Sequence, residues 1–123
     1  MEITAVNTAR LSSGCAVVRI DTDQGISGYG EPAVETAPDA SLSLLRSIAD
    51  EYLIGKDPGR IEYHRRKLQD ALWVSGGPII NGVLGGIEQA FWDIKGKDLG
   101  VPVYELLGGR VRDKIRVYKY IGT

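Results

Sequence analysis

The chain is poor in the residues that build self-contained active sites: one cysteine and one histidine occur in 123 residues. A lone cysteine, Cys15, excludes an internal disulfide and any multi-cysteine zinc site. A lone histidine, His64, leaves the common metal and catalytic arrangements without a second member. A surplus of one charge is missing too. Lys plus Arg is 15 and Asp plus Glu is 16, so the basic excess of a general nucleic-acid binder is absent. No apolar run reaches the length of a membrane span. Met1-Glu2-Ile3-Thr4 carries neither the basic nor the apolar stretch of a signal peptide. A cytoplasmic protein is expected, without nucleic-acid or membrane partners. What is present, 43% hydrophobic and 25% charged residues, is the balance of a soluble globular domain. The 16 glycines give loop geometry unusual weight.

The hydrophobic pattern predicts an α+β fold. Ile3 to Ala9, Ala16 to Ile20 and Ile26 to Glu31 read as strands. Leu11-Ser12-Ser13-Gly14 and Asp23-Gln24-Gly25 turn between them. A three-stranded antiparallel meander is expected, followed by a helical bundle. Leu42, Leu45, Ala49, Tyr52 and Leu53 mark one face of a first helix, with Pro38 in its first turn and Gly55 as its stop. Ile61, His64, Leu68, Ala71 and Leu72 mark a second, broken by Ser75-Gly76-Gly77-Pro78. A third runs from about Ile79 to Leu99, with Val83, Ile87, Ala90, Phe91 and Ile94 on one stripe. Gly82, Gly85 and Gly86 fall inside it, and each glycine costs up to about 1 kcal/mol against Ala. Their presence predicts close backbone packing against another element. Pro102 to Leu107 makes a short helix ended by Gly108-Gly109, and Ile115 to Ile121 alternates like a strand.

Candidate chemistry is thin. Gly28-Tyr29-Gly30-Glu31 lacks the third glycine and following helix of a nucleotide fingerprint, and Gly82, Gly85 and Gly86 lie inside a helix rather than after a strand. Asp21 to Gly25 resembles the opening of a calcium loop, but position 12 is Pro32 rather than Glu, and a turn is favoured. His64, on an apolar helix face, reads as a packed, hydrogen-bonded core residue. Glu88 and Asp93 do not share a helix face, and read as a cap partner and a solvated charge. Cys15 reads as small and buried. Arg110, Arg112, Lys114 and Arg116, interrupted by Asp113, read as a solvated linker.

Three segments in order carry a resemblance. They are Thr22 to Glu31, Gly86-Ile87-Glu88-Gln89-Ala90-Phe91-Trp92-Asp93-Ile94-Lys95-Gly96-Lys97, and Gly100 to Gly109 followed by Val111-Arg112-Asp113. Together they resemble the N-terminal capping domain of the mandelate racemase and muconate lactonizing branch of the enolase superfamily. Leu53 to Pro58 and Ser75 to Pro78 resemble acid-sugar dehydratases of the galactonate dehydratase kind. The resemblance implies that residues 1–110 are a capping domain, and that 111–123 are a linker and the first strand of a (β/α) barrel. Such a barrel takes about 250 residues, of which this sequence holds only 115–123. The third helix and the tail strand are then expected to pack on the barrel.

The implied parent is a Mg²⁺-dependent lyase of acid-sugar catabolism, or a related racemase. In that superfamily a base removes the proton α to a carboxylate while the metal stabilises the enediolate. The metal carboxylates and acid/base residues lie on later barrel strands, so none is carried over to this chain, and the chain alone is expected to be inactive. The substrate, an acid sugar, is read at its distal end by two loops of the cap. These map to Leu11, Ser12, Ser13, Gly14 and Cys15, and to the segment from Glu31 to Ala37 with Pro32, Glu35 and Thr36. The break at Ser75 to Pro78 is a weaker third candidate. The first loop is small and polar, where that branch is expected to place bulk and a basic group. The alternative is a non-catalytic, self-associating module or a truncated gene product. In either case an apolar tail of Ile115, Val117, Tyr118, Tyr120 and Ile121 is expected to favour a homo-oligomer.

Overall fold

Every second residue of Ala16–Thr22 is buried, the alternation of a strand with one face in a core. The computed structural model of the chain describes residues 1–72 and 76–118. In it Ile3–Arg10 (β1), Ala16–Thr22 (β2) and Ser27–Gly30 (β3) form one sheet in the order β1-β2-β3. Both pairings are antiparallel, with Arg10 opposite Ala16 and Val18 opposite Gly30. The meander stands as expected. Gly14 at φ 92° and Gly25 at φ 75° close its two turns, a backbone state that glycine adopts without strain.

Four helices follow: Pro38–Tyr52 (α1), Ile61–Ala71 (α2), Pro78–Leu99 (α3) and Val103–Leu106 (α4). Proline opens both α1 and α3, where its missing N–H has no helical partner to lose. Gly100, left-handed at φ 67°, ends α3. Gly55 lies just beyond α1 rather than at its last turn. Its N–H donates to Ile3 O and Ile3 N–H donates to Lys56 O, each at 2.9 Å, which ties the start of β1 to the α1–α2 connection.

The core lies between the sheet and the helices. Ile3, Val18 and Ile20 meet Leu45, Ile48 and Leu53 from the α1 region and Val83, Ile87, Phe91 and Ile94 from α3. Each large apolar side chain buried this fully contributes roughly 1.5–3 kcal/mol. His64 belongs to this core at 3% exposure. Its Nε2 lies 2.8 Å from Asp57 O. A carbonyl only accepts, so Nε2 donates, as expected of a satisfied core histidine.

The tail departs from the strand expected there. Ile115, Val117 and Tyr118 are 82%, 84% and 93% exposed, and residues 115–118 carry no strand; no sheet edge pairs with them among the described residues. Tyr120 and Ile121 lie outside the described residues, as does Ser75. Two of the three glycines singled out in α3 face this domain itself. A Cβ on Gly82 would meet Ala33 O at 2.7 Å, and one on Gly86 would meet Pro32 N at 2.7 Å, while Gly85 has nothing within 4 Å. The close packing inferred from these glycines therefore holds for two of the three, against the segment that follows β3.

Candidate functional site

The loop after β3 is placed by a lock between β3 and α3. A Cβ at Gly28 would lie 2.0 Å from Ala90 O, and one at Gly30 would lie 1.9 Å from Gly86 O. Glycine at 28 and 30 therefore lets the helix backbone lie directly on the strand, and Gly86 lets it lie on Glu31 and Pro32 just beyond. At that distance α3 side chains reach the free edge of β3. Tyr29 N–H donates to Asp93 Oδ2 at 3.0 Å, and Glu31 N–H donates to Gln89 Oε1 at 2.9 Å. Lys97 Nζ donates to Ser27 O and to Asp93 Oδ2, both at 2.7 Å. Gln89, Asp93 and Lys97 recur at i, i+4 and i+8, one face of the helix. Asp93 is thus an edge-strand partner, not the free solvated charge expected from the sequence. Glu88 accepts a long 3.4 Å bond from Trp92 Nε1.

Beyond the lock, Pro32 is buried, and the Ser41 hydroxyl of α1 donates to its carbonyl at 2.8 Å. Pro32 therefore seats the loop and offers no side chain to a ligand. Ala37 N–H donates to Val34 O at 3.1 Å, a turn that carries Glu35 and Thr36 exposed at its tip. The β1–β2 loop is closed in a similar way. Gly14 N–H donates to Leu11 O and Leu11 N–H donates to Cys15 O, each at 2.9 Å. Cys15 is exposed, which corrects the expectation that it is buried.

The two loops meet. Ser13, Gly14 and Cys15 from one and Glu31 and Glu35 from the other line a groove of about 240 Å³, with Arg10 beside them. Leu11, Ser12 and Thr36 lie outside its lining. Arg10 is the groove residue that the sequence alone did not single out. It is the last residue of β1, one place before the mapped loop, and is the one basic side chain in the groove's lining. Its Nη1 donates to Asp39 Oδ2 at 2.9 Å, so α1 holds it from one side. A larger cavity of about 490 Å³, lined among others by Tyr52, Lys56, Arg60 and His64, lies at the other end of β1 and includes neither mapped loop.

The family model for the N-terminal domain of the mandelate racemase / muconate lactonizing enzymes matches residues 1–108. The chain belongs to this family. Among mandelate racemase / muconate lactonizing relatives, the D-galactonate dehydratase of Pectobacterium atrosepticum is 48% identical over 122 residues, and that of Ralstonia pickettii 46%. Each match covers 99% of this chain and 32% of the relative, so the chain spans about a third of the length of these relatives. The crystal structure of an enolase from Pantoea ananatis with bound D-gluconate and Mg has a TM-score of 0.86 at 40% identity, covering 91% of this chain and 28% of that one. The fold is the N-terminal domain of the enolase superfamily.

Within that family frame, the sequence segments that carry the resemblance have structural work here. Thr22 to Glu31 and Gly86 to Lys97 are the two halves of the β3–α3 lock. At the β2–β3 turn, Asp21 accepts from Asn7 Nδ2 at 2.8 Å, from Arg19 Nη2 at 2.9 Å and from Ser27 Oγ at 2.6 Å. Those bonds, Arg19 first, hold its carboxyl below the usual range. Asp21 is thus an organiser of the sheet's outer face. Arg110 Nη2 donates to Tyr104 Oη at 3.1 Å, and the rest of the basic cluster is exposed. Among the described residues no group of three or more His, Cys, Asp or Glu is placed to hold a metal. The described residues therefore do not fit a Mg²⁺ site, and no chemical step is assigned through one. No helix among the described residues is long and apolar enough to cross a membrane.

Proposed function

We propose that this domain is the cap of a Mg²⁺-dependent acid-sugar dehydratase of the galactonate dehydratase kind, and that the groove between its two loops reads the distal end of the substrate. Residues 1–110 form the cap in this reading, and 111–123 lead into the first barrel strand. The observation that carries it is the convergence of both mapped loops on one groove. The 46–48% identity to proteins named D-galactonate dehydratase supports the substrate class. Abstraction of the α-proton and loss of the β-hydroxyl belong to barrel residues and a metal held outside this chain. This chain's own residues bind, orient and exclude water. The Ser13 hydroxyl donates and accepts, the Glu35 carboxylate accepts and the Arg10 guanidinium donates, a set suited to the hydroxyls of a sugar acid. A site built to hydrogen-bond a hydroxyl rejects an analogue that lacks it. A cytoplasmic location goes with this reading.

The test is a graft of this domain onto the barrel of the Pectobacterium atrosepticum relative, assayed on D-galactonate. The reading predicts dehydration by the chimera and loss of at least about 100-fold in kcat/KM for the barrel without a cap, since closure excludes water and completes the site. Equal rates with and without the cap would contradict it. A second reading, self-association through the tail, is favoured by the exposure of Val111, Ile115, Val117 and Tyr118, each above 80%.

A further inference from the structure

Both ends of the segment between β3 and α1 meet at one side chain. Ser41 is 0% exposed, and its Oγ lies 2.8 Å from Pro32 O and 2.8 Å from Pro38 O. A hydroxyl carries one proton and a carbonyl only accepts, so Ser41 makes one of these two bonds at a time. The two acceptors are not equivalent. Pro38 opens α1, where a carbonyl has the N–H four residues on, that of Leu42, as its regular donor. Pro32 O has no backbone donor among the turn, loop and cap bonds of the described residues. It therefore depends on Ser41, and a buried carbonyl left without a donor is costly.

We propose that Ser41 is a latch. With its proton on Pro32 the segment is held down; with its proton on Pro38 the stretch from Pro32 to Thr36 is released to lift while β3 and α3 stay locked. Among the described residues, the Ser41 bond is the one hydrogen bond that joins this stretch to another element. The other bonds here are local, Ala33 N–H to Glu31 O at 2.8 Å and Ala37 N–H to Val34 O at 3.1 Å. Prolines stand at both 32 and 38, so neither place offers an N–H that could tie the segment down instead. Against α3 the segment packs closely at Gly82 and Gly86 but by contact alone. Motion stops at Glu31, whose N–H is held by Gln89 as that of Tyr29 is by Asp93. One proton with two discrete acceptors makes the segment a two-state element, and such elements, rather than gradual deformation, are what switch in folded proteins.

Backbone ¹⁵N relaxation of the 123-residue chain tests this, in the unaltered protein and in Ser41→Ala and Ser41→Cys. The latch predicts order parameters of about 0.85 at Ala33 and Val34 in the unaltered chain and about 0.6 or lower in Ser41→Ala. Val18, Tyr29 and Glu31 are expected to keep their order in both. Ser41→Cys keeps the size of the side chain with a weaker donor, and is expected to fall between the two. Unchanged order at Ala33 and Val34 in Ser41→Ala overturns the latch. An equal loss of order across β2 and α3 overturns it too, because Ser41 would then be a packing residue of the whole core. So does full order in Ser41→Cys, which would assign the effect to volume rather than to the proton. Should Ser41→Ala not fold, the cysteine variant decides alone: a loss confined to Ala33 and Val34 supports the latch, and an absent or uniform loss overturns it.

Discussion

A methyl group on Gly30 would sit 1.9 Å from Gly86 O, whereas one on Gly85 would meet nothing within 4 Å. The two glycines are opposite in their demands. Gly30→Ala forces α3 off the strand and is expected to cost on the order of 3 kcal/mol. Gly85→Ala removes a flexible residue from a helix interior and is expected to stabilise by about 0.5–1 kcal/mol. Denaturant titration of the two variants checks both signs. The sequence marks these positions as glycine but cannot say which are in contact, because contact depends on the rotation of α3 against β3. Charge shows the same limit. Glu62 accepts from both Arg65 and Arg66, and these bonds hold its pKa at about 2 against an ordinary 4.5. Its native pKa is lower than its unfolded one, so its contribution is present above pH 4.5 and is lost as pH falls towards 2. Glu62→Gln should flatten that part of the acid-unfolding curve. The side chain is 55% exposed, so the effect should be small and should fade in salt. An acid limb unchanged in Glu62→Gln would count against the pairing. At the candidate groove, Ser13 and Glu35 lie in loops mapped by the resemblance and do line it, while Arg10 could not be placed there from the sequence, because it belongs to a strand and enters the groove only through the β1–β2 register.

At the level of elements, hydrophobic spacing fixes α1, α2 and α3 to within a residue or two, since the 3.6-residue period of buried positions survives in each. The β3–α3 lock is a different matter. Gln89, Asp93 and Lys97 look like any polar face of a helix until the strand edge they serve is in place. That edge would otherwise present unpaired N–H groups, a template for other chains. Asp93→Ala should therefore speed hydrogen exchange at the Tyr29 amide by about tenfold and leave the Glu31 amide protected by Gln89. Gln89→Ala should do the reverse. Each is expected to cost about 1 kcal/mol, the usual net worth of one hydrogen bond. Uniform acceleration of both amides in either variant would mean that the lock opens only with the whole fold. The tail defeats period reading for the complementary reason: Ile115 to Tyr118 alternates like a strand, yet alternation needs a partner edge, and none meets it among the described residues.

At the scale of the whole molecule, the exposed tail and the groove make separate demands. Light scattering of the full chain against a version ending at Gly109 is expected to show self-association only in the longer one, and monomers in both would remove the second reading. Calorimetric titration with Mg²⁺ is expected to show no stoichiometric micromolar binding, because the described residues assemble no carboxylate cluster for a metal. In the function proposed above, two loops on a locked meander form the part of an acid-sugar dehydratase that chooses the substrate. The most direct test is the specificity of the grafted enzyme carrying Ser13→Leu or Glu35→Ala, measured over a panel of acid sugars. The account predicts that the ratios of kcat/KM between sugars shift by about tenfold while kcat on the best substrate stays within about threefold, as expected for contacts to a part of the substrate that does not react. The same loss of rate on every sugar, with the ratios unmoved, would contradict it.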